Sequence, residues 1–232
     1  MKGRWTLIGY AEQNSKVSLV GSYLITQQSL MLSSPGLTSL LLNPYDWVNP
    51  VDVPEFPFHL ESFQTWGVAP PMPTHVLTAL ARQPSITQVK LSTSDEPSLT
   101  ALLPLASQLT HLTLDTITSG SSSIVHQFLS HCTQLKDLTI DASFIQPLAG
   151  QNLELDELIL VFHPTCTYPT FLESLVNLLR WSYETPVRKG GLLLLNVYYH
   201  SHQIGHVERW APEVKDLCEK RQIRLEAGGV FK

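Results

Sequence analysis

The chain has 232 residues, 43% of them hydrophobic, and a formal net charge of −5 from 15 Lys and Arg against 20 Asp and Glu. That apolar share suffices for a packed core and excludes overall disorder, while the lack of any long cationic block argues against a phosphate-backbone ligand, so no nucleic acid is expected. No apolar run approaches the roughly 20 residues that span a bilayer, and no basic segment leads into an apolar one at the start. No membrane partner is expected, and the reading is a cytoplasmic or nuclear protein. Cys132, Cys166 and Cys218 are odd in number and form no CxxC pair, which suggests reduced thiols rather than a disulfide framework or a zinc knuckle.

Trp5 to Tyr10 and Val17 to Ile25 read as strands, and residues 1–36 as an N-terminal cap or a degenerate repeat. From Leu37 onward one pattern recurs: apolar, two variable, apolar, one variable, apolar. It appears as LTSLLL at Leu37, LESFQT at Leu60, ITQVKL at Ile86, LTHLTL at Leu109, LKDLTI at Leu135 and LDELIL at Leu155. Successive starts lie 23, 26, 23, 26 and 20 residues apart, and all three apolar positions hold except at Thr65 in the second copy. Such spacing fits a leucine-rich repeat. The second and third apolar positions, two apart, point to one face of a strand that cannot bury that face alone.

Between these strands the apolar spacing becomes helical. Val76, Leu77 and Leu80 form one set, Leu99, Leu102, Leu103 and Ala106 a second, and Ile124, Val125, Phe128, Leu129 and Cys132 a third. Pro73 with Thr74, Pro97 with Ser98, and Ser121 to Ser123 supply first-turn and capping chemistry. Pro104 inside the second helix removes a backbone donor, so that helix is expected to be short or kinked. After Leu160 a helix opens at Pro169 and Thr170, an apolar strand covers Leu192 to Val197, a helix runs from about Ala211 to Arg221, and a strand lies around Ile223 to Glu226. Residues 37–160 are therefore read as leucine-rich repeats and 161–232 as irregular C-terminal repeats or a cap. The expected fold is α/β: a leucine-rich-repeat solenoid with a curved parallel sheet and outer helices.

At FLSHCTQLKDLTID (Phe128 to Asp141) and LASQLTHLTLDTI (Leu105 to Ile117) the sequence resembles the cysteine-containing, ribonuclease-inhibitor-like repeats of F-box proteins, particularly the divergent fungal ones. The resemblance implies a strand-lined concave face and a role as substrate-recognition module of a ubiquitin ligase. The position eight residues after each start, usually Asn or Cys in that family, is here Tyr45, Val68, Ser94, Ile117, Ser143 and His163, so the buried polar ladder is expected to be degenerate. No F-box with its opening Leu-Pro pair precedes the repeats, and a cullin-RING ligase is a partner only where such a segment exists.

Chemistry-bearing motifs are sparse. GxSxG, GxxxxGK[ST], GxGxxG and HExxH do not occur. His200, His202 and His206, with Cys166 or Glu208, give the alternative reading of a small metal-dependent hydrolase, since imidazole and thiolate suit zinc. Their loop has no defined ligand spacing, and a solvated His-rich loop is the preferred account; no catalytic residue, metal or cofactor is expected. Ser121 to Ser123 read as capping residues before phosphorylation targets, and Cys132 as a buried structural thiol. Function is expected on the outward strand positions, where Trp66, Lys90, His111, Asp115, Asp137, Asp141 and Glu157 are the candidate contact residues. That row turns acidic from Asp115 to Glu157, predicting a protein partner with a basic segment and an apolar anchor at Trp66.

Overall fold

The computed structural model describes residues 7–8, 16–19, 38–42, 59–65, 71–119, 122–148, 153–162, 173, 175–179, 194–199 and 212–229. Each of the six sequence copies becomes a strand beginning two residues after its first apolar position. These are β3 (Ser39–Leu42), β4 (Ser62–Thr65), β5 (Gln88–Leu91), β7 (His111–Leu114), β9 (Asp137–Asp141) and β10 (Glu157–Phe162). They are joined by β1 (Leu7–Ile8) and β2 (Lys16–Leu19) before them and β11 (Leu194–Tyr199) and β12 (Arg224–Gly229) after them. Together they form one ten-stranded sheet in the order β1-β2-β3-β4-β5-β7-β9-β10-β11-β12. Every pair from β2 onward is parallel, whereas β1 runs antiparallel to β2, a departure from the all-parallel sheet that the repeats suggest.

Sequential parallel neighbours require a crossover between each pair, and from β4 to β10 helices supply it. α1 (Thr74–Leu80), α2 (Glu96–Leu102), α3 (Ser122–His131) and α4 (Ile145–Leu148) precede β5, β7, β9 and β10 in turn. α1 packs on α2, α2 on α3 and α3 on α4, giving a second layer that follows the strand order. α5 (Pro212–Arg221) lies between β11 and β12 and packs on β12. Its chain leaves through Gln222 at φ 59°, the left-handed conformation that often terminates helices, and the Ile223 N–H donates to the Cys218 carbonyl. None of the described helices is long and apolar enough to cross a membrane.

Burial follows the strand alternation. Val89, Leu91, Leu112, Leu114, Leu138, Ile140, Leu158 and Leu160 are buried on one face, together with the opening residues Leu60, Ile86, Leu109, Leu135 and Leu155. The alternate residues Gln88, Lys90, His111, Thr113, Asp137, Thr139, Glu157 and Ile159 are exposed or half-exposed. Across the described residues the helix layer therefore covers one face of these strands and the other stays open. Phe63 and Phe128 are the largest fully buried side chains, one from the sheet and one from α3. Thr65 keeps its inward place at 2% exposure because its hydroxyl accepts the Ser92 N–H at 2.8 Å, satisfying a polar group the core would otherwise leave unpaired.

Two local features differ from the sequence expectation. Asp95, and not the Pro97–Ser98 pair, caps α2: its carboxylate accepts the Ser98 N–H at 2.9 Å, placing Pro97 in the first turn. β6 (Ser94–Asp95) and β8 (Ile117–Ser119) form a separate two-stranded parallel sheet beside the main one. Ser94 is fully buried within it, where its N–H donates to the Thr116 carbonyl at 2.9 Å and its carbonyl accepts the Thr118 hydroxyl at 3.2 Å. Pro104 acts as expected: α2 stops at Leu102 and the chain continues as a 3₁₀ helix over Leu103–Gln108.

Candidate functional site

The open face is built by register. Two residues into each copy, Ser39, Ser62, Gln88, His111, Asp137 and Glu157 stand side by side, and the row extends to Leu194 and Arg224. Two residues further along each strand, Leu41, Gln64, Lys90, Thr113, Thr139 and Ile159 form a second row. Backbone bonds hold these rows in phase from below. Each strand is entered by a carbonyl that accepts two consecutive N–H groups of the next, from Thr38 through Glu61, Thr87 and Thr110 to Lys136. Gln108 adds a side-chain tie, donating to the carbonyls of Gln83 at 3.2 Å and Ile86 at 2.8 Å.

Charge is unevenly distributed over the rows. Lys90 is exposed, and Asp115 and Glu157 are half-buried. His111 and Asp137, directly opposed on β7 and β9, form an ion pair with Nε2 2.6 Å from Oδ2. A carboxylate oxygen only accepts, so Nε2 carries the hydrogen; Nδ1 lies 2.8 Å from the Thr110 hydroxyl. Both ring nitrogens are therefore engaged, which fixes the plane of the imidazole on the face. On the other side of Asp137 stands Glu157, its register partner on β10. Two carboxylates thus share adjacent strands about 4.8 Å apart. Among the described residues the Glu157 side chain makes no hydrogen bond and no ion pair.

The candidate contact residues do not all gather on this face. Lys90, His111, Asp137 and Glu157 do, whereas Asp115 follows the end of β7, half-buried, with its N–H donating to the Leu91 carbonyl at 3.1 Å. Asp141 does not: it is only 7% exposed, and its carboxylate accepts the N–H of Ser143 at 2.9 Å and the Ser143 hydroxyl at 2.8 Å. It caps the 3₁₀ turn Ala142–Phe144, because a short side chain that bonds the backbone two residues ahead competes with continuation of the strand. The expected acidic patch loses that member. Trp66 lies outside the described residues, as do Cys166, Glu208 and the His200–His206 loop that carries the hydrolase alternative. No cluster of three or more His, Cys, Asp or Glu able to hold a metal occurs among the described residues.

Ile159 and Val161 are half-buried on the same strand as Glu157, so an acidic and an apolar surface adjoin along β10. His111 and Asp137 both occupy the third place of their copies, which puts them in one row.

The two described thiols are placed against reactivity. Cys132 is 1% exposed at the end of α3, its thiol donating to the Phe128 carbonyl at 3.3 Å, and Cys218 is 2% exposed on α5. Burial pushes the Cys132 thiol from 9.0 up to about 12 and that of Cys218 up to about 11. Because the thiolate is the nucleophile, neither thiol reacts in the folded chain at neutral pH. In a Cys166→Ser variant, a colorimetric thiol reagent at pH 7.5 is expected to label the native chain at a small fraction of the rate seen in denaturant. A folded-state pKa above the unfolded one also means these thiols cost no stability below pH 9.0 and progressively more between 9.0 and about 12. Rapid native labelling would place either cysteine at the surface.

No family model matches this chain, and no curated protein matches it.

Proposed function

We propose that the chain is a leucine-rich-repeat solenoid that serves as a protein-protein interaction scaffold and has no catalytic site, gripping its partner on the open face of the parallel sheet. The carrying observation is that one face is closed by helices while the other presents ordered rows of His111, Asp137 and Glu157 beside Thr113, Thr139 and Ile159. A solenoid uses such an uncovered strand face for binding because each coil contributes a few side chains at fixed spacing. The resemblance of Leu105–Ile117 and Phe128–Asp141 to ribonuclease-inhibitor-like repeats supports the finer reading, a substrate-recognition module related to F-box ubiquitin-ligase receptors. In that reading the cullin-RING ligase is reached only through an F-box.

The partner is a protein with a basic segment, because the acids of β9 and β10 outnumber the cations beside them and their negative potential speeds encounter with positive charge. Affinity capture with immobilised protein tests this. Asp137→Lys combined with Glu157→Lys is expected to abolish recovery of the captured partner, while the thermal midpoint changes little, since both side chains are at least partly solvated. Wild-type capture is expected to weaken as salt rises above about 0.1 M, where the Debye length falls below ~10 Å. Recovery that ignores both the reversal and the salt would remove the open face from the proposal.

A further inference from the structure

The open face also indicates how its partner is read, an inference that rests on the scaffold reading above. We infer that β10 receives an extended partner segment in which a basic side chain meets Glu157 and an apolar side chain two residues away meets Ile159. Three observations combine. Glu157 and Asp137 are register partners, and like charges opposed across strands destabilise a sheet. His111 engages Asp137 but nothing described engages the Glu157 side chain, so one carboxylate of the pair has no partner. Ile159 and Val161 continue from Glu157 along the same strand as half-buried apolar side chains beside the polar outward positions of β5, β7 and β9.

The spacing selects the occupant. Glu157 and Ile159 are two residues apart on one strand, so their side chains stand about 6.6 Å apart along it. An extended segment repeats its own side chains at that interval, so one lying along β10 matches it with a basic residue and an apolar residue separated by one position. Arginine suits the acidic end better than lysine. Its planar fork can reach the carboxylate of Glu157 and the free oxygen of Asp137 together, whereas an ammonium meets them as a point charge. Oδ2 of Asp137 is held by His111, so Oδ1 is the oxygen left for a further donor.

A displayed library of random twelve-residue peptides, selected on the intact immobilised chain, tests the inference. Selected peptides are expected to be enriched in Arg, and less so Lys, one position removed from Leu, Ile, Val or Phe. The same peptides, synthesised, should bind Glu157→Gln about tenfold more weakly, as loss of a charged hydrogen bond implies. Thr139→Arg, which projects a cation into the middle of the face, separates the two readings. Peptides that lose binding to Thr139→Arg but bind Glu157→Gln as well as wild type, or that carry no basic-apolar pair, overturn this inference and leave the scaffold reading standing. Peptides indifferent to both substitutions overturn both.

Discussion

Replacing Leu138 by Ala is expected to cost about 2 to 5 kcal/mol of unfolding free energy, whereas Thr139→Ala, one residue along the same strand, should cost well under 1 kcal/mol. Leu138 is 1% exposed, sits between Leu112 and Leu158 in register, and belongs to the core that the helices cover. Removing its isobutyl group leaves a cavity that rigid strands on both sides cannot close, so the transfer loss and the cavity loss add. Thr139 points to the open face, where truncation exposes little new surface. Leu112→Ala against Thr113→Ala should repeat the contrast on β7, because the register aligns the two strands. Urea denaturation of the four variants measures it. Similar losses at leucine and threonine would mean that the strands are phased one residue differently from the arrangement described here.

Strand phase was the most legible property of this sequence, and the reason is physical. A parallel strand needs an apolar pair two residues apart, and the copies at Ile86, Leu109, Leu135 and Leu155 each provide one, preceded by a third apolar residue that is itself buried. Helix spans around Val76, Leu99 and Phe128 were legible for the same reason, as one apolar stripe each. The β6–β8 pair was not. Its residues Ser94, Asp95, Ile117 and Ser119 carry no periodic signal, and main-chain bonds hold them together once the flanking coils are stacked. The antiparallel β1 was illegible too, since two residues are too few for a pattern to reveal direction.

The site was half legible. The periodic pattern places His111, Asp137 and Glu157 in one row, and stacking the copies brings them together across about 25 residues of sequence. Interactions within the row depend on which atom reaches which: His111 turns to Asp137 and to Thr110, leaving Glu157 unmatched. A one-dimensional pattern carries only the face, not those choices. Asp141 is the sharper case, because alternation along β9 predicts it exposed and a capping bond leaves it buried.

That reversal makes Asp141 and Asp137 a discriminating pair. Asp141→Ala removes an acceptor that satisfies both the N–H and the hydroxyl of Ser143 at a buried strand exit, and alanine offers nothing in exchange. Loss of a cap typically costs about 0.5 to 2 kcal/mol, and because Ser143 is exposed its donors can turn to water, so the expected total is about 1 kcal/mol. Asp137→Ala removes one ion pair whose partners are 48% and 34% exposed, and such pairs contribute about 0.2 to 1 kcal/mol once solvent screening is counted. The effects on binding should run the other way. Asp137→Ala is expected to weaken a basic partner segment, while Asp141→Asn, which keeps an acceptor for the Ser143 N–H, should leave both stability and binding close to wild type. Urea midpoints for the three variants, alongside titration of one Arg-containing selected peptide, separate the two roles. A larger stability loss at Asp137 than at Asp141, or a binding loss confined to Asp141→Asn, would return Asp141 to the open face and remove it from the turn it caps.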